Sequence, residues 1–282
     1  MDAFPPSSLA IKVRLVGTPA QPVLEKVRRL WSWPDRRRHP ELADVWHEGA
    51  RLDALLRHLI TPTSNCIDIG CHIGSVLSLM MRCAPHGTHR AIEASPAKAA
   101  LLQQRYPGVD IRSVAVSDTP GTVTFYDVVG QSGFSGLRRP VHQDPDDPGA
   151  VGTVRSYDVA CETLDRLFVT DTADVVPVDL VKIDVEGAEL PALRGGAQLL
   201  EKFRPDIVFE CAEESGLAAF DYTRADLHDF LTDAGYDVWL VRDHVFGRGP
   251  MGRDEFVRAG TYPFPGFNYV ARPAGTEATR IM

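Results

Sequence analysis

Hydrophobic positions from Cys66 onward fall into short apolar runs separated by amphipathic stretches. This alternation predicts a mostly parallel sheet with helices on both faces, which is an α/β fold. Strands are predicted over residues 65–69, 88–92, 110–116, 122–129, 154–161, 179–185, 207–211, 236–241 and 267–271. Helices are predicted over residues 75–83, 96–106, 187–194 and 224–234.

Residues 1–60 have a different pattern, with helical periodicity over 23–33 and 45–59 and a basic cluster at 36–38. They are predicted to form an N-terminal helical extension or lid, followed by one catalytic domain over 61–282. Prolines predict an exposed loop over 138–152. The stretch between the last two strands, rich in Gly, Pro and Arg, is predicted to be a loop long enough to be functional.

Composition limits the functional classes. With 282 residues, 44% of them hydrophobic, the chain can bury one sizeable core. Its formal charge of −8 disfavours nucleic acid and anionic membranes as partners. No apolar run approaches the roughly 20 residues of a membrane span, and the start lacks a signal-peptide pattern, so a cytoplasmic location is expected. The five cysteines form no CxxC pair, which predicts buried, reduced thiols.

A glycine-rich turn follows the first predicted strand, with Asp68, Gly70 and Gly74 spaced as DxGxxxG. A strand, a glycine turn and a helix N-terminus together favour a nucleotide-like ligand, because the backbone can approach closely and offers free amides. His72 stands where dinucleotide-binding turns carry their middle glycine. The spacing therefore favours a cofactor with a nucleoside and an amino acid over one with a pyrophosphate.

Acidic residues at the ends of the next two strands extend this predicted site. Glu93 ends the second strand about 20 residues beyond the glycines, where a carboxylate can accept hydrogen bonds from both ribose hydroxyls. The alternative is that Glu93 only caps the following helix. Ser117 and Asp118 end the third predicted strand, where they either face an adenine edge or serve as turn residues.

A second group of charged residues lies in the stretch KIDVEGAE, residues 182–189. Strand alternation predicts Lys182, Asp184 and Glu186 on one side of the strand. A buried lysine requires a charged partner, so Lys182 is expected to pair with a nearby carboxylate. Asp184 lies at the carboxyl end of the strand, where open α/β sheets bind ligands, and can act as a catalytic base. The alternative is a salt bridge that only orders the strand.

Glu210 ends the following strand and is expected to share this site. Two carboxylates on neighbouring strand ends could hold Mg²⁺, which would acidify a bound hydroxyl, but this is the less favoured hypothesis. His142 and His244 fall in predicted loops and are interpreted as solvated. The sequence has no GxSxG motif and no histidine triplet typical of a metal site, so a hydrolase is disfavoured.

These motifs together resemble the FkbM-type family of S-adenosylmethionine-dependent methyltransferases. DIGCHIG resembles the family's DIGANIG, AIEASP its AFEPSP, and VKIDVEGAELPALRGG followed by RPDIVFE its most specific signature. AVSDTPG resembles its variable strand ending, and SYDVACETLDRL resembles its strand leading to a TLD turn. The match covers roughly residues 45–272. Cys71 and His72 stand where the family has Ala and Asn.

The resemblance implies a Rossmann-like class I methyltransferase with a seven-stranded, mostly parallel sheet whose last strand is antiparallel. It implies S-adenosylmethionine as the cofactor, bound by Asp68, Gly70, Gly74 and Glu93, and an active edge at Asp184 and Glu186. It also implies O-methylation of a sugar, polyketide or similar natural product, and so a role in secondary metabolism. His72, Ser117 and Asp118 are added as cofactor contacts from their positions.

Two other functional classes remain open. A nicotinamide-dependent oxidoreductase uses the same kind of sheet, although the missing middle glycine disfavours it. A methyltransferase fold without activity could serve as a binding module, although the intact acidic strand end disfavours this. The expected partner is a small molecule with a free hydroxyl, and a homo-oligomer is compatible with the sequence.

Overall fold

The structure is a computed structural model that describes residues 39–128, 135–139, 154–173, 175–211 and 217–282. The helix predicted over 23–33, the basic cluster at 36–38 and most of the predicted 138–152 loop lie outside these residues. None of the helices within them is long and apolar enough to cross a membrane.

Strands occur where the apolar runs predict them. They are β1 (Cys66–Ile69), β2 (His89–Ile92), β3 (Asp110–Arg112), β4 (Ala115–Val116), β5 (Gly121–Val128), β6 (Val154–Glu162), β7 (Leu180–Ile183), β8 (Asp206–Glu210), β9 (Tyr236–Leu240) and β10 (Asn268–Pro273). Seven of them form one sheet in the order β3-β2-β1-β7-β8-β10-β9. The others form a small sheet in the order β4-β6-β5.

The large sheet is parallel except at one strand. β1 pairs in parallel with β2 and β7, and β7 pairs in parallel with β8, whereas β10 runs antiparallel to both β8 and β9. Every residue of β1 and β7 is buried, as expected for central strands covered on both faces. The fold is therefore the predicted Rossmann-like class I methyltransferase architecture, with its last strand antiparallel.

Helices cover both faces of the sheet. They are α1 (Ala43–Leu59), α2 (Ser75–Cys83), α3 (Pro96–Arg105), α4 (Glu189–Arg194), α5 (Ala197–Phe203), α6 (Arg224–Asp233), α7 (Val241–Val245) and α8 (Arg253–Arg258). A short 3₁₀ turn, Pro40–Leu42, precedes α1, and a π-helical turn, Arg166–Thr170, follows β6.

Strand alternation divides the core between the two faces. Ile67 and Ile69 of β1 pack with α4, α5, α6 and α8, whereas Cys66 faces the other way and packs with α1, α2 and α7. Leu77 of α2 and Leu102 of α3 close a third apolar cluster beside β2 and β3. All five cysteines are free, as predicted, and only Cys83 is not fully buried.

Three structural predictions are corrected. The strand predicted over 110–116 is two strands in different sheets, because the chain leaves the large sheet after Arg112 and Ala115 pairs with Cys161 of β6. The stretch between β9 and β10 is not a simple loop, since α7 and α8 bury Val245 and Phe256 in the core. Helix α5 was not predicted at all.

The prediction for His244, in the stretch between β9 and β10, is also corrected, because this residue is fully buried in α7 and not solvated. Its ring meets Trp239 edge-on, with ring centroids 5.4 Å apart. Burial and the nearby Arg272 lower the pKa of His244 to about 4, so it packs as a neutral ring.

Candidate active site

A cleft of about 200 Å³ opens at the carboxyl ends of β1, β2 and β7. The large sheet supplies Gly70, His72 and Glu93 on one side and Asp184 and Glu186 on the other. The cleft lies at the edge where open α/β sheets bind ligands, and it brings together residues more than 100 positions apart.

The glycine turn requires glycine for steric reasons. Gly70 has a φ of 74°, and a Cβ added there would lie 1.8 Å from the carbonyl oxygen of Asp184. Gly74 has a φ of 83° at the N-cap of α2, where a Cβ would lie 2.8 Å from Leu102. Gly70 therefore lets the ends of β1 and β7 come together, and Gly74 lets α2 pack against α3.

Glu93 holds the glycine turn and the next helix together. Its side chain is only 5% exposed. Oε2 accepts a 2.8 Å hydrogen bond from the backbone N–H of His72, and Oε1 accepts one of 2.9 Å from Ser95. Burial raises the pKa of Glu93, and Lys98 and the two amides offset part of this effect. Each carboxylate oxygen still has a lone pair available to a ligand hydroxyl, so capping α3 and binding a ribose are compatible.

The other predicted cofactor residues fall into two groups. Asp68 does not line the cleft but lies 1% exposed beneath the turn, where it accepts a hydrogen bond from the backbone of Leu77. Ser117 and Asp118 also lie outside the lining of this cleft, whose wall here is formed by Val114, Ala115 and Val116. The chain turns away from the cleft after β4. Ser117 and Asp118, which were predicted to contact the cofactor because they end a strand, therefore lie one or two residues beyond the residues that form this wall.

Lys182 pairs with a carboxylate, as expected. Its Nζ lies 2.7 Å from Oδ2 of Asp184, and the Lys182 side chain is almost completely buried. Burial opposes the charge on Nζ, but the carboxylates of Asp184 and Asp68 outweigh it and raise the pKa of Lys182. Asp68 is the register partner of Lys182 across β1 and β7. Lys182 is therefore a charged centre under the site, and Asp184 carries the partly exposed end of the pair.

A strained turn follows Asp184. β7 ends at Ile183, and Glu186 has a φ of 55°, which a non-glycine residue rarely adopts. Strand alternation therefore does not continue to Glu186, and the turn, not the strand, brings it to the same cleft as Asp184. Glu186 lies against Gly136. A Cβ added to Gly136 would lie 3.2 Å from the Cβ of Glu186.

Two buried residues that the sequence analysis did not single out clamp this turn. Oε1 of Glu189 accepts hydrogen bonds from the backbone N–H groups of Val185, at 3.1 Å, and Gly187, at 3.2 Å. The hydroxyl of Tyr222 donates a 2.7 Å hydrogen bond to the carbonyl of Gly187. Burial raises the pKa of Glu189 to about 7. The only sequence feature that pointed to Glu189 was its place in the EGAE stretch, residues 186–189. No sequence feature pointed to Tyr222.

Several carboxyl groups lie close together at this edge. Glu210 ends β8 as expected, and burial, with the charge of Asp184 next in size, raises its pKa. The same two effects raise the pKa of Glu186, whose exposed surface limits the shift because water screens it. Among the described residues, no group of three or more His, Cys, Asp or Glu side chains could hold a metal ion.

The small sheet supplies the remaining wall of the cleft. Phe125 of β5 lines it, and a short segment, Ser135–Leu137, covers it from the other side. Gly136 exchanges backbone hydrogen bonds of 2.8 and 3.1 Å with Tyr126. Lys98 of α3 also lines the cleft. These residues lie far from the glycine turn in sequence, so no local motif identified them.

Comparison with known proteins gives the family. The model of the methyltransferase FkbM domain matches residues 68–238, which is more than half of the chain. No curated protein matches the chain significantly. A methyltransferase FkbM from Methylobacillus flagellatus KT is 14% identical with a TM-score of 0.43, over 76% of this chain. This chain spans only 44% of that protein.

Solved structures with similar folds include another methyltransferase. The O-methyltransferase TomG from Streptomyces achromogenes, solved with SAM, is 14% identical with a TM-score of 0.41, and the match covers 80% of this chain and 79% of that one. These distant similarities carry no residue roles, so the assignment rests on the domain match and on the motifs now seen to surround one cleft. The chain belongs to the FkbM family of S-adenosylmethionine-dependent methyltransferases.

Proposed function

We propose that this protein transfers the methyl group of S-adenosylmethionine to a hydroxyl oxygen of a small molecule. The observation that carries the proposal is the pairing of two features in one cleft. The glycine turn and the buried Glu93 form one wall, and the Lys182–Asp184 ion pair ends at the other. The first wall suits a nucleoside cofactor, and the second suits an acceptor that must lose a proton.

The residues of the cleft fit the cofactor. We assign the ribose hydroxyls to Glu93 and the amino-acid portion to the backbone at Gly70 and His72. Val116 and Phe125 offer apolar surface to the adenine. Asp68 and Gly74 support this site from below the turn. Ser117 and Asp118 are given no cofactor role, because they do not line the cleft.

Asp184 is proposed as the base. When bound, S-adenosylmethionine supplies an electrophilic methyl group on a sulfonium. Transfer to the acceptor oxygen would break the methyl–sulfur bond and leave its electron pair on sulfur, and the proton that the hydroxyl loses would pass to an Oδ atom of Asp184, which would neutralise that carboxylate. Holding the hydroxyl beside Asp184 supplies much of the rate through positioning. Glu186 lines the cleft beside Asp184 and is proposed as a second contact to the acceptor.

The acceptor class follows from the family resemblance. We propose a sugar, glycan or polyketide-type natural product, and hence a role in secondary metabolism. Helix α1 lies within the extension predicted over residues 1–60, and its Leu55 and Leu56 are buried in the core against β8 and β10.

Isothermal titration with S-adenosylmethionine tests the cofactor site. Ala94 lines the cleft, and Ala97 is exposed two positions into α3. Ala94→Phe fills the cofactor cleft and should abolish binding, whereas Ala97→Phe should bind like the wild type. Equal binding by both variants, or no binding by the wild type, would refute the proposed site.

Methyl transfer to a panel of free sugars and hydroxylated polyketides tests the reaction. Asp184→Asn should lower the rate by about 100-fold or more with little change in cofactor affinity. Products methylated on nitrogen or carbon would contradict hydroxyl specificity, and full activity in Asp184→Asn would remove its role as base.

A further inference from the structure

A second cleft adjoins the cofactor cleft. It has a volume of about 560 Å³ and lies over the small sheet. Leu137 lines both clefts and separates them. A molecule in the second cleft would therefore lie next to the edge where Asp184 and Glu186 are found. Its lining consists of Ser117, Val123, Thr124, Tyr126, Leu137, Arg138, Arg139 and Phe220.

One short segment connects the acidic edge to this second cleft. Gly136 lies against Glu186 and is fixed by its two backbone hydrogen bonds to Tyr126 of β5. Arg138 follows two residues later, so its Cα is at most about 7 Å from that of Gly136. The segment thus links the acidic edge of the cofactor cleft to the two arginines of the second cleft.

Arg138 is oriented by an aromatic ring. Its guanidinium carbon lies 5.2 Å from the centroid of the Phe220 ring. The ring holds this guanidinium through a cation–π contact, and a guanidinium can recognise an oxyanion with two N–H groups at once. Arg139 lines the same cleft.

The charge of the described lining of this cleft is opposite in sign to that of the whole chain. The formal net charge is −8, yet the described residues that line the second cleft include two arginines and no acidic side chain. The hydroxyl of Thr124 donates a 3.0 Å hydrogen bond to Asp158 on β6, which places a carboxylate near this wall without adding it to the lining. Such a positive cleft in an acidic protein concentrates anions.

We propose that the second cleft binds an oxyanion, a phosphate or carboxylate group, carried by the methyl acceptor. This inference rests on the proposed function and names its substrate class. The acceptor is then a hydroxylated anion, with its hydroxyl at Asp184 and its charged group at Arg138 and Arg139. The two ends of the substrate are recognised by charges of opposite sign, which fixes its direction in the site.

The test is an NMR titration of the protein saturated with S-adenosylhomocysteine, following the arginine Nε–H signals and, because the double variant lacks two of these, the backbone amide signals of Thr124, Tyr126 and Leu137, which line the cleft. Inorganic phosphate, acetate and the neutral sugar methyl glucoside are the probes. Arg138→Gln/Arg139→Gln is compared with Arg253→Gln, an exposed arginine on α8 that pairs with Asp229. We expect an oxyanion to bind at least about tenfold more weakly to the double variant and equally to Arg253→Gln, while methyl glucoside moves none of these signals.

The outcomes distinguish the sources and the hypotheses. Tighter binding of phosphate indicates a phosphorylated acceptor, and tighter binding of acetate indicates a carboxylate. Equal anion affinity in the double variant, or no anion binding in the wild type, overturns the inference. If S-adenosylhomocysteine itself does not bind, the proposed function fails, and the anion titration on the free protein still decides whether this cleft binds an oxyanion.

Discussion

Replacing Gly70 by alanine tests the close contact between the two halves of the site. The added Cβ would lie 1.8 Å from the carbonyl oxygen of Asp184, whereas real Cβ contacts essentially never fall below 3.0 Å. The Asp184 carbonyl must therefore move by about 1.2 Å, the difference between these distances. The Asp184 N–H donates a 3.0 Å hydrogen bond to the Ile69 carbonyl, and a shift of the Asp184 backbone would strain this bond.

The expected loss in the free energy of unfolding has two parts. Alanine at a φ of 74° costs about 1–2 kcal/mol, and inserting a methyl group into a packed contact costs about 1–3 kcal/mol. We expect Gly70→Ala to lower the free energy of unfolding by about 2–5 kcal/mol. A displacement of about 1 Å at the base should also lower methyl transfer by about 100-fold.

Urea unfolding followed by circular dichroism measures the first effect, and the methyl-transfer rate with saturating cofactor measures the second. Gly49→Ala is the matched control, because Gly49 lies in α1 with no heavy atom within 4 Å of an added Cβ. That variant should gain about 0.5–1 kcal/mol. The contact is refuted if Gly70→Ala unfolds within about 1 kcal/mol of the wild type and retains its activity.

Three further predictions concern the charges beneath and beside the cleft. Lys182→Met leaves the carboxylates of Asp184 and Asp68 without their buried cation and should cost about 3–5 kcal/mol in urea unfolding at pH 7.5; a loss below about 1 kcal/mol would contradict the role of the ion pair. The pKa of Asp68 is raised from 3.8 to about 6 in the folded protein, so its protonation stabilises the fold fully below about pH 4, and this stabilisation is lost as the pH rises through 6. The unfolding free energy of the wild type, measured against Asp68→Asn, should therefore fall by about 2–3 kcal/mol from pH 4 to 7.5, and a constant difference would disprove the shift. Glu189→Leu removes the acceptor of two turn amides and should lower kcat by about tenfold or more with an unchanged KM for the cofactor, whereas Glu189→Gln, which keeps an acceptor oxygen, should retain most activity; equal kcat values in the two variants would exclude the clamp.

Local sequence patterns were sufficient for the large sheet and for the position of the site. Apolar runs set the strands, and the carboxyl ends of parallel strands meet at one edge, so Gly70, Glu93 and Asp184 could be assigned to one site without coordinates. The pairing of Lys182 followed from the cost of burying a lone charge. Each of these inferences uses information within a few residues of the position concerned.

Other features depended on contacts between distant parts of the chain. Glu189 and Tyr222 clamp the same turn from positions 33 residues apart, and no periodicity relates them. The segment at Gly136 reaches Glu186 only because β5 and β6 pair beside the large sheet. Likewise, α1 joins the core through Leu55 and Leu56, which a helical pattern alone could not distinguish from a detached lid.

The sequence by itself therefore determined the fold class, the family and the edge of the sheet where we propose the cofactor and the base. The tertiary structure alone decided which residues line the cleft, because a strand that bends, as at Arg112, moves every later residue relative to the ligand. It also decided the state of the charges, since burial and neighbouring carboxylates shift the pKa values of Asp68, Glu186 and Glu189 by effects that act through space and not along the chain.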